Sequence, residues 1–181
     1  MTPQERALVL EQLTVSHARI VALTSGLTSE QWHFRESAER WSIAEIIEHL
    51  VLFERFILGI ITTCLERPAE PEKKELTASK QSLVLGLANA RHIPFVSREV
   101  NLPTGRWPDA QLLSELRLAR ERTTAFASET EANLSGHFFP HVAWGDLNCY
   151  QWLLLMGQHT LRHVMQVEQV QAHSGYPQQT R

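Results

Sequence analysis

Nine of the 181 residues are histidine, and the placement of three of them is what lets this sequence do chemistry. In the string HTLRH, His159 and His163 lie four residues apart. A helix projects such a pair from one face with Cβ atoms about 6 Å apart, which suits two imidazoles on one metal ion. His49 lies on the apolar face of another long helical pattern, and a bundle can bring facing helices together around one interior site. Three histidines on one ion leave a coordination position for water or substrate, as in catalytic zinc sites. Zinc, nickel, manganese and iron all accept imidazole, so the histidines do not select the metal. The competing reading is a structural hydrogen-bonded pair. An imidazole buried without a partner costs about 1–3 kcal/mol, so either a metal or a hydrogen-bond network has to be supplied.

Other residue types near these positions invite weaker readings. His17 is on the apolar face of the first helical pattern, where a satisfied core histidine is the commoner outcome. His137 and His141 are also four apart, but Pro140 between them argues against a helical pair, and the pocket mouth is an open alternative for them. Gln166 follows His163 by three residues and can orient a ligand or make a plain polar contact. Arg162 can hold a substrate carboxylate or an ordinary surface ion pair. Cys64 and Cys149 lie about 22 and 15 Å along straight helices from His49 and His159, too far to join the same metal, and read as reduced core residues. Trp41, Trp107, Trp144 and Trp152 read as core or loop anchors.

Four long helices are expected to position these groups. Thr2, Pro3 and Glu5 open one over about residues 3–24, and Ser42 with Glu45 opens a second over about 43–66. Pro108 at a first helical position starts a third over about 108–132, and Asp146 as cap starts a fourth over about 147–173, stopped by Gly175 and Pro177. Between the second and third, RPAEPEKKE is a solvated connection, and Thr77 to Arg91 is a short extra helix. A few extended residues fit near Phe95 to Val100, and LSGHFFPHVAWG reads as a loop. The expected fold is all-α, an antiparallel-type four-helix bundle with one long connection. The length suits one domain over residues 1–181.

At RWSIAEIIEHLVLFE and HTLRHVMQVEQV the sequence resembles the DinB-like superfamily of metal-dependent four-helix-bundle enzymes. The segments PTGRWPDAQLLSELRLAR and AWGDLNCYQW also look like that family's connections, so the resemblance covers most of the chain. It implies that His49, His159 and His163 bind a divalent metal. The resemblance also implies chemistry of the kind found in thiol-dependent S-transferases and isomerases, with a low-molecular-weight thiol as cosubstrate, and it suggests a homodimer. It does not name a substrate.

The composition removes several function classes. Seventeen Lys plus Arg against 20 Asp plus Glu give a net charge of -3, without the basic footprint of a general nucleic-acid binder. No apolar run is long enough to span a membrane, and no secretory signal is visible, so a cytoplasmic location is expected. The leading expectation, which the family resemblance implies, is an enzyme transferring a small thiol to a small electrophile. The alternatives are a metal-dependent hydrolase and a non-catalytic metal or small-molecule binding module.

Overall fold

The computed structural model describes residues 1–87 and 97–178 of the chain. Helix α1 (Pro3–Thr24) starts where the Thr2 hydroxyl accepts from the Glu5 amide and the Glu5 carboxylate accepts from the Thr2 amide. This reciprocal box satisfies two of the amides left over at a helix start. Thr28 and Gln31 repeat it for a single-turn helix, α2 (Ser29–His33), which the sequence reading left out. Ser42 and Glu45 do the same for α3 (Ile43–Leu65).

The long connection holds α4 (Lys74–Ala78) and α5 (Lys80–Leu85), broken at Ser79, where one helix over Thr77 to Arg91 was expected. The remainder of that stretch lies outside the described residues. So does most of the extended segment expected near Phe95 to Val100, whose last residues enter a 3-10 turn, Glu99–Asn101. Helix α6 (Asp109–Glu129) has Pro108 at its cap rather than in its first turn and ends at the extended Thr130, earlier than expected. Residues expected to loop instead form a hairpin of β1 (Phe138–His141) and β2 (Gly145–Asn148), with Phe138 opposite Asn148 and His141 opposite Gly145. Asp146 is therefore a strand residue paired with Lys73 at 3.1 Å, and Asn148 is the cap of α7 (Cys149–Gln171).

The four long helices form a ring in which α1 packs on α7, α7 on α3, α3 on α6 and α6 on α1. Paired residues give the directions. Gln158 donates to Gln12, Arg19 meets Glu168 and Gln171 reaches the Leu23 carbonyl, so α1 and α7 run parallel. Helices α3 and α7 run antiparallel, as do α1 and α6, where Arg6 reaches the Ala127 and Thr130 carbonyls while Arg120 reaches Leu13. The expected four-helix bundle with its long connection has an up-down-down-up order, because that connection carries the chain back along the bundle before α6 begins. Gly157 lets α1 and α7 approach closely: a Cβ there would stand 3.0 Å from the Gln12 backbone.

A polar layer crosses the bundle between two apolar clusters. One cluster holds Leu13, Ile57, Ile61, Leu153 and Met156, and the other holds Ile20, Ile46, Ile47, Leu116, Val164 and Val167. Between them Arg120, only 4% exposed, pairs with Glu54, only 2% exposed. Nη2 donates to Oε2 at 2.9 Å, and Nε lies 2.8 Å from Oε1 as an ion contact without hydrogen-bond alignment. Nη1 donates to the Leu13 carbonyl at 2.7 Å and the Ser16 hydroxyl at 3.1 Å, and Nη2 to the Thr160 hydroxyl at 3.0 Å. One guanidinium therefore joins all four long helices. Removing it leaves a buried carboxylate unpaired, so Arg120→Met is expected to cost about 3–5 kcal/mol in urea unfolding. Adding Glu54→Leu should recover most of that loss, and a double variant no more stable than the single one would contradict this account.

His17 lies beside this layer rather than at the other histidines. Its Nδ1 is buried without a hydrogen-bond partner, and burial, then the Arg120 charge, lower its pKa from 6.5 to about 4. Glu121 opposes the shift and Arg117 adds to it. The unfolded chain therefore takes up a proton near pH 6.5 that the folded chain refuses until about pH 4. Stability from this group is complete above 6.5 and is lost as the pH falls toward 4. Denaturant midpoints at pH 7 and pH 5 should fall less for His17→Gln than for the unaltered protein; equal falls would sink the assignment. No helix among the described residues is long and apolar enough to cross a membrane.

Candidate metal centre

Because α3 and α7 run antiparallel, His49 and the pair His159 and His163 meet across one interface. The Nε2 atom of His159 lies 3.3 Å from Nε2 of His49 and 3.3 Å from Nε2 of His163. One ligating atom from each of the three falls within 4.8 Å of the others. A tetrahedral ion with nitrogens at about 2.0–2.1 Å spaces them about 3.3 Å apart, so the two measured edges fit. Proton count supports the same fit. The His49 Nδ1–H donates to the Asn101 carbonyl at 2.8 Å, and the His163 Nδ1–H donates to Gln166 Oε1 at 2.8 Å. Each neutral ring then presents a bare lone pair at Nε2, and one N–H from His159 cannot satisfy two of them well. A cation between the three nitrogens resolves the conflict.

The rings are oriented by more than these two bonds. His159, whose Nδ1 is buried without a hydrogen-bond partner, is stacked on Phe53 with centroids 3.8 Å apart and planes at 20°. The Trp41 ring lies 4.9 Å from that of His49. The Asn101 carbonyl is itself fixed by the residue before His49. The buried Glu48 carboxylate accepts from the amides of Thr104 at 3.0 Å, Gly105 at 2.8 Å and Arg106 at 3.2 Å. Gly105 has φ +74°, the left-handed region where glycine is favoured, and this lets successive amides point at one carboxylate. Glu48 and His49 thus grip the same crossing segment.

Burial sets the charge state of His49 and His159. It lowers the pKa of His49 against the opposing bond to Asn101, and lowers that of His159 well below its ordinary value, with His163, His49, Arg162 and His141 adding to the effect. Neutral imidazoles are the form that binds metal.

Beside the trio is a cavity of about 510 Å³. Phe53, Phe56, Ile57, Trp152 and Leu155 give it apolar walls, and Arg40, Arg98, His141, Arg162 and Gln166 also line it. His141 therefore stands at the pocket as expected, with a pKa lowered by burial and then by Arg98 to about 4. His137 does not; its Nδ1 bonds to the Cys64 carbonyl at 2.9 Å. Trp41 and Trp152 line the cavity, whereas Trp107 lies under the Arg55 guanidinium at 5.1 Å. Cys64 and Cys149 are free and buried, neighbours in the core, with Cys64 Sγ donating to the Phe138 carbonyl at 3.5 Å, and are not among the lining residues. Burial raises the Cys64 thiol and pushes Cys149 up to about 12, so both are inert core thiols. Sequence reasoning missed Glu48, Phe53 and Asn101. Only the EH pair at the head of an apolar stripe hinted at them.

Four antiparallel and parallel long helices that gather three histidines beside an apolar cavity define a histidine-centred helical bundle. The chain belongs to the DinB superfamily, whose family profile matches residues 12–167. It is also similar to the uncharacterized protein YuaE of Bacillus subtilis (strain 168), 25% identical over 146 residues, which cover 80% of this chain and 86% of that protein.

The outer bond from Gln166 gives a direct test of ring orientation. Gln166→Leu keeps the size and removes the acceptor for His163, and the loss of such a partner typically weakens metal binding about 10–100-fold. Competitive titration of zinc against a chromophoric chelator should show a loss in that range, and unchanged affinity would remove Gln166 from the site.

Proposed function

We propose that the protein is a metal-dependent enzyme that transfers a low-molecular-weight thiol to a small electrophile, with His49, His159 and His163 as ligands of a divalent ion. The convergence of three Nε2 atoms beside an apolar-walled cavity carries this reading. When bound, such an ion supplies a Lewis acid that favours the thiolate of a thiol whose free pKa is about 8.5. Asn101 and Gln166 hold two of the rings in the tautomer that leaves Nε2 bare. Phe53, Phe56, Trp152 and Leu155 pack on the carbon frame of the acceptor and keep water from it.

The described lining offers no carboxylate base for a glutamate-assisted water nucleophile, and the metal-hydroxide alternative therefore relies on the ion alone to activate water. Here Glu48 is committed to three backbone amides and Glu54 to Arg120, and no Asp or Glu is among the described residues lining the cavity. Cys64 and Cys149, away from the lining, leave the thiol to come from outside the chain.

Two measurements separate the parts of this reading. Zinc and nickel should bind at one ion per chain by calorimetry, and alanine at His49, His159 or His163 should weaken binding by more than the about 10–100-fold of an outer partner. Unchanged affinity in all three variants refutes the site. Acceptor-dependent thiol consumption should exceed the uncatalysed rate in the metal-loaded protein and vanish in chelated protein and in His163→Ala. If thiol consumption stays at background while ester or amide substrates turn over with metal, hydrolysis replaces transfer. If metal binds and neither reaction occurs with any probe, the protein is a binding module.

A further inference from the structure

The charges around the cavity say what kind of molecule it takes. Arg40, Arg98 and Arg162 line it, and the described lining residues include no carboxylate. Arg40 is offset by Glu36, 3.2 Å away. Arg98 is different. Its guanidinium donates to the Pro140 carbonyl at 3.2 Å and lies 5.2 Å from the centre of the Phe139 ring, and both partners are neutral. Among the described residues no carboxylate pairs with Arg98, whose charge is held in place half-buried at the cavity wall. Arg162 is one turn from His159 on α7 and adds a second positive charge to the same lining.

The rest of the lining is apolar. Phe53, Phe56, Ile57, Trp152 and Leu155 form the interior, and Leu102 and Val142, 38% and 58% exposed, form part of the rim. A bare anion would leave this surface uncovered, and a neutral hydrocarbon would leave the charge of Arg98 unanswered. Three neutral imidazoles also leave the charge of any divalent ion uncompensated, which again favours an anionic occupant.

We infer that the small molecule taken by the cavity is an organic carboxylate, with its apolar body among Phe53, Phe56 and Trp152 and its carboxylate drawn to Arg98 and Arg162. This builds on the reading of the cavity as the substrate site and assigns Arg98 as a specificity residue. A guanidinium offers two parallel N–H groups to a carboxylate, so the contact selects geometry as well as charge.

A matched pair of probes tests this: 4-phenylbutyrate and 4-phenylbutyramide, equal in size and different in charge. Binding to the zinc-loaded protein is measured by calorimetry and by quenching of tryptophan fluorescence, since Trp41 and Trp152 line the cavity. The carboxylate is expected to bind about tenfold more tightly than the amide, a preference weakened by added salt. Arg98→Gln should reduce that preference several-fold while amide affinity and zinc stoichiometry stay unchanged, and Arg98→Lys should retain most of it. Arg98→Gln/Arg162→Gln should abolish it.

Equal affinities for the two probes in the unaltered protein overturn the inference, as does a preference that survives in the double variant. The second result would mean that the carboxylate sits on the metal alone. Running the series on chelated protein separates this inference from the metal reading. A charge preference that persists without zinc and falls in Arg98→Gln supports the arginine assignment even if no metal site exists. One-to-one zinc binding with no charge preference leaves the metal reading standing and rejects the assignment.

Discussion

A guanidinium buried among four helices constrains this bundle more tightly than any apolar contact does. Arg120 and Glu54 lie where the apolar clusters stop on each side, and the cost of removing two charges from water is offset only if nearly every donor and acceptor finds its partner. Those partners come from α1, α3, α6 and α7, so a rotation of any one helix breaks a charged hydrogen bond. Apolar side chains tolerate small slips because dispersion contacts are individually weak. The polar layer does not. Thr160, which accepts from Arg120, is the neighbour of His159, so the rotation of α7 that satisfies the ion pair also sets the direction of the histidines.

The histidine trio shows the same economy on a smaller scale. Two of its rings have their outer nitrogens committed, one to main chain and one to Gln166, and the third is held by stacking on Phe53. What remains is His159 Nε2 at 3.3 Å from the Nε2 atoms of both His49 and His163, with at most one proton to share between those two contacts. An arrangement this unfavourable without a cation lies beside a cavity whose walls carry positive charge and apolar surface. The chemistry of the site is thus set by groups that do not themselves reach its centre.

The sequence made the long helices and the three histidines legible because both depend on short-range pattern. Capping boxes at Thr2 and Ser42 and the i, i+4 spacing of His159 and His163 are local signals. The helix Ser29–His33 carried such a signal too, in Thr28 and Gln31, but five residues give no periodicity to confirm it. The hairpin was missed because each strand has four residues and one includes Pro140. Its pairing is visible only once both strands lie against the bundle. The partners of the trio were illegible for a different reason. Asn101 lies 52 positions from His49, and the Glu48 contacts span a similar gap, so no window along the chain contains both ends. Cys64 and Cys149 likewise read as unrelated and prove to be neighbours.

The group that orients His49 is a backbone carbonyl, and this changes where that restraint is written in the gene. No substitution at position 101 deletes the carbonyl, so the side chain there is not what encodes the bond. The information is displaced onto Glu48, whose carboxylate seats the strand of amides from Thr104 to Arg106, and onto Gly105, whose φ of +74° lets them converge. Inheritance of the His49 ring's orientation therefore runs through an acid and a glycine that never touch it. A change of side chain at 101 leaves the accepting carbonyl in place, whereas a side chain added at 105 strains the turn that positions it.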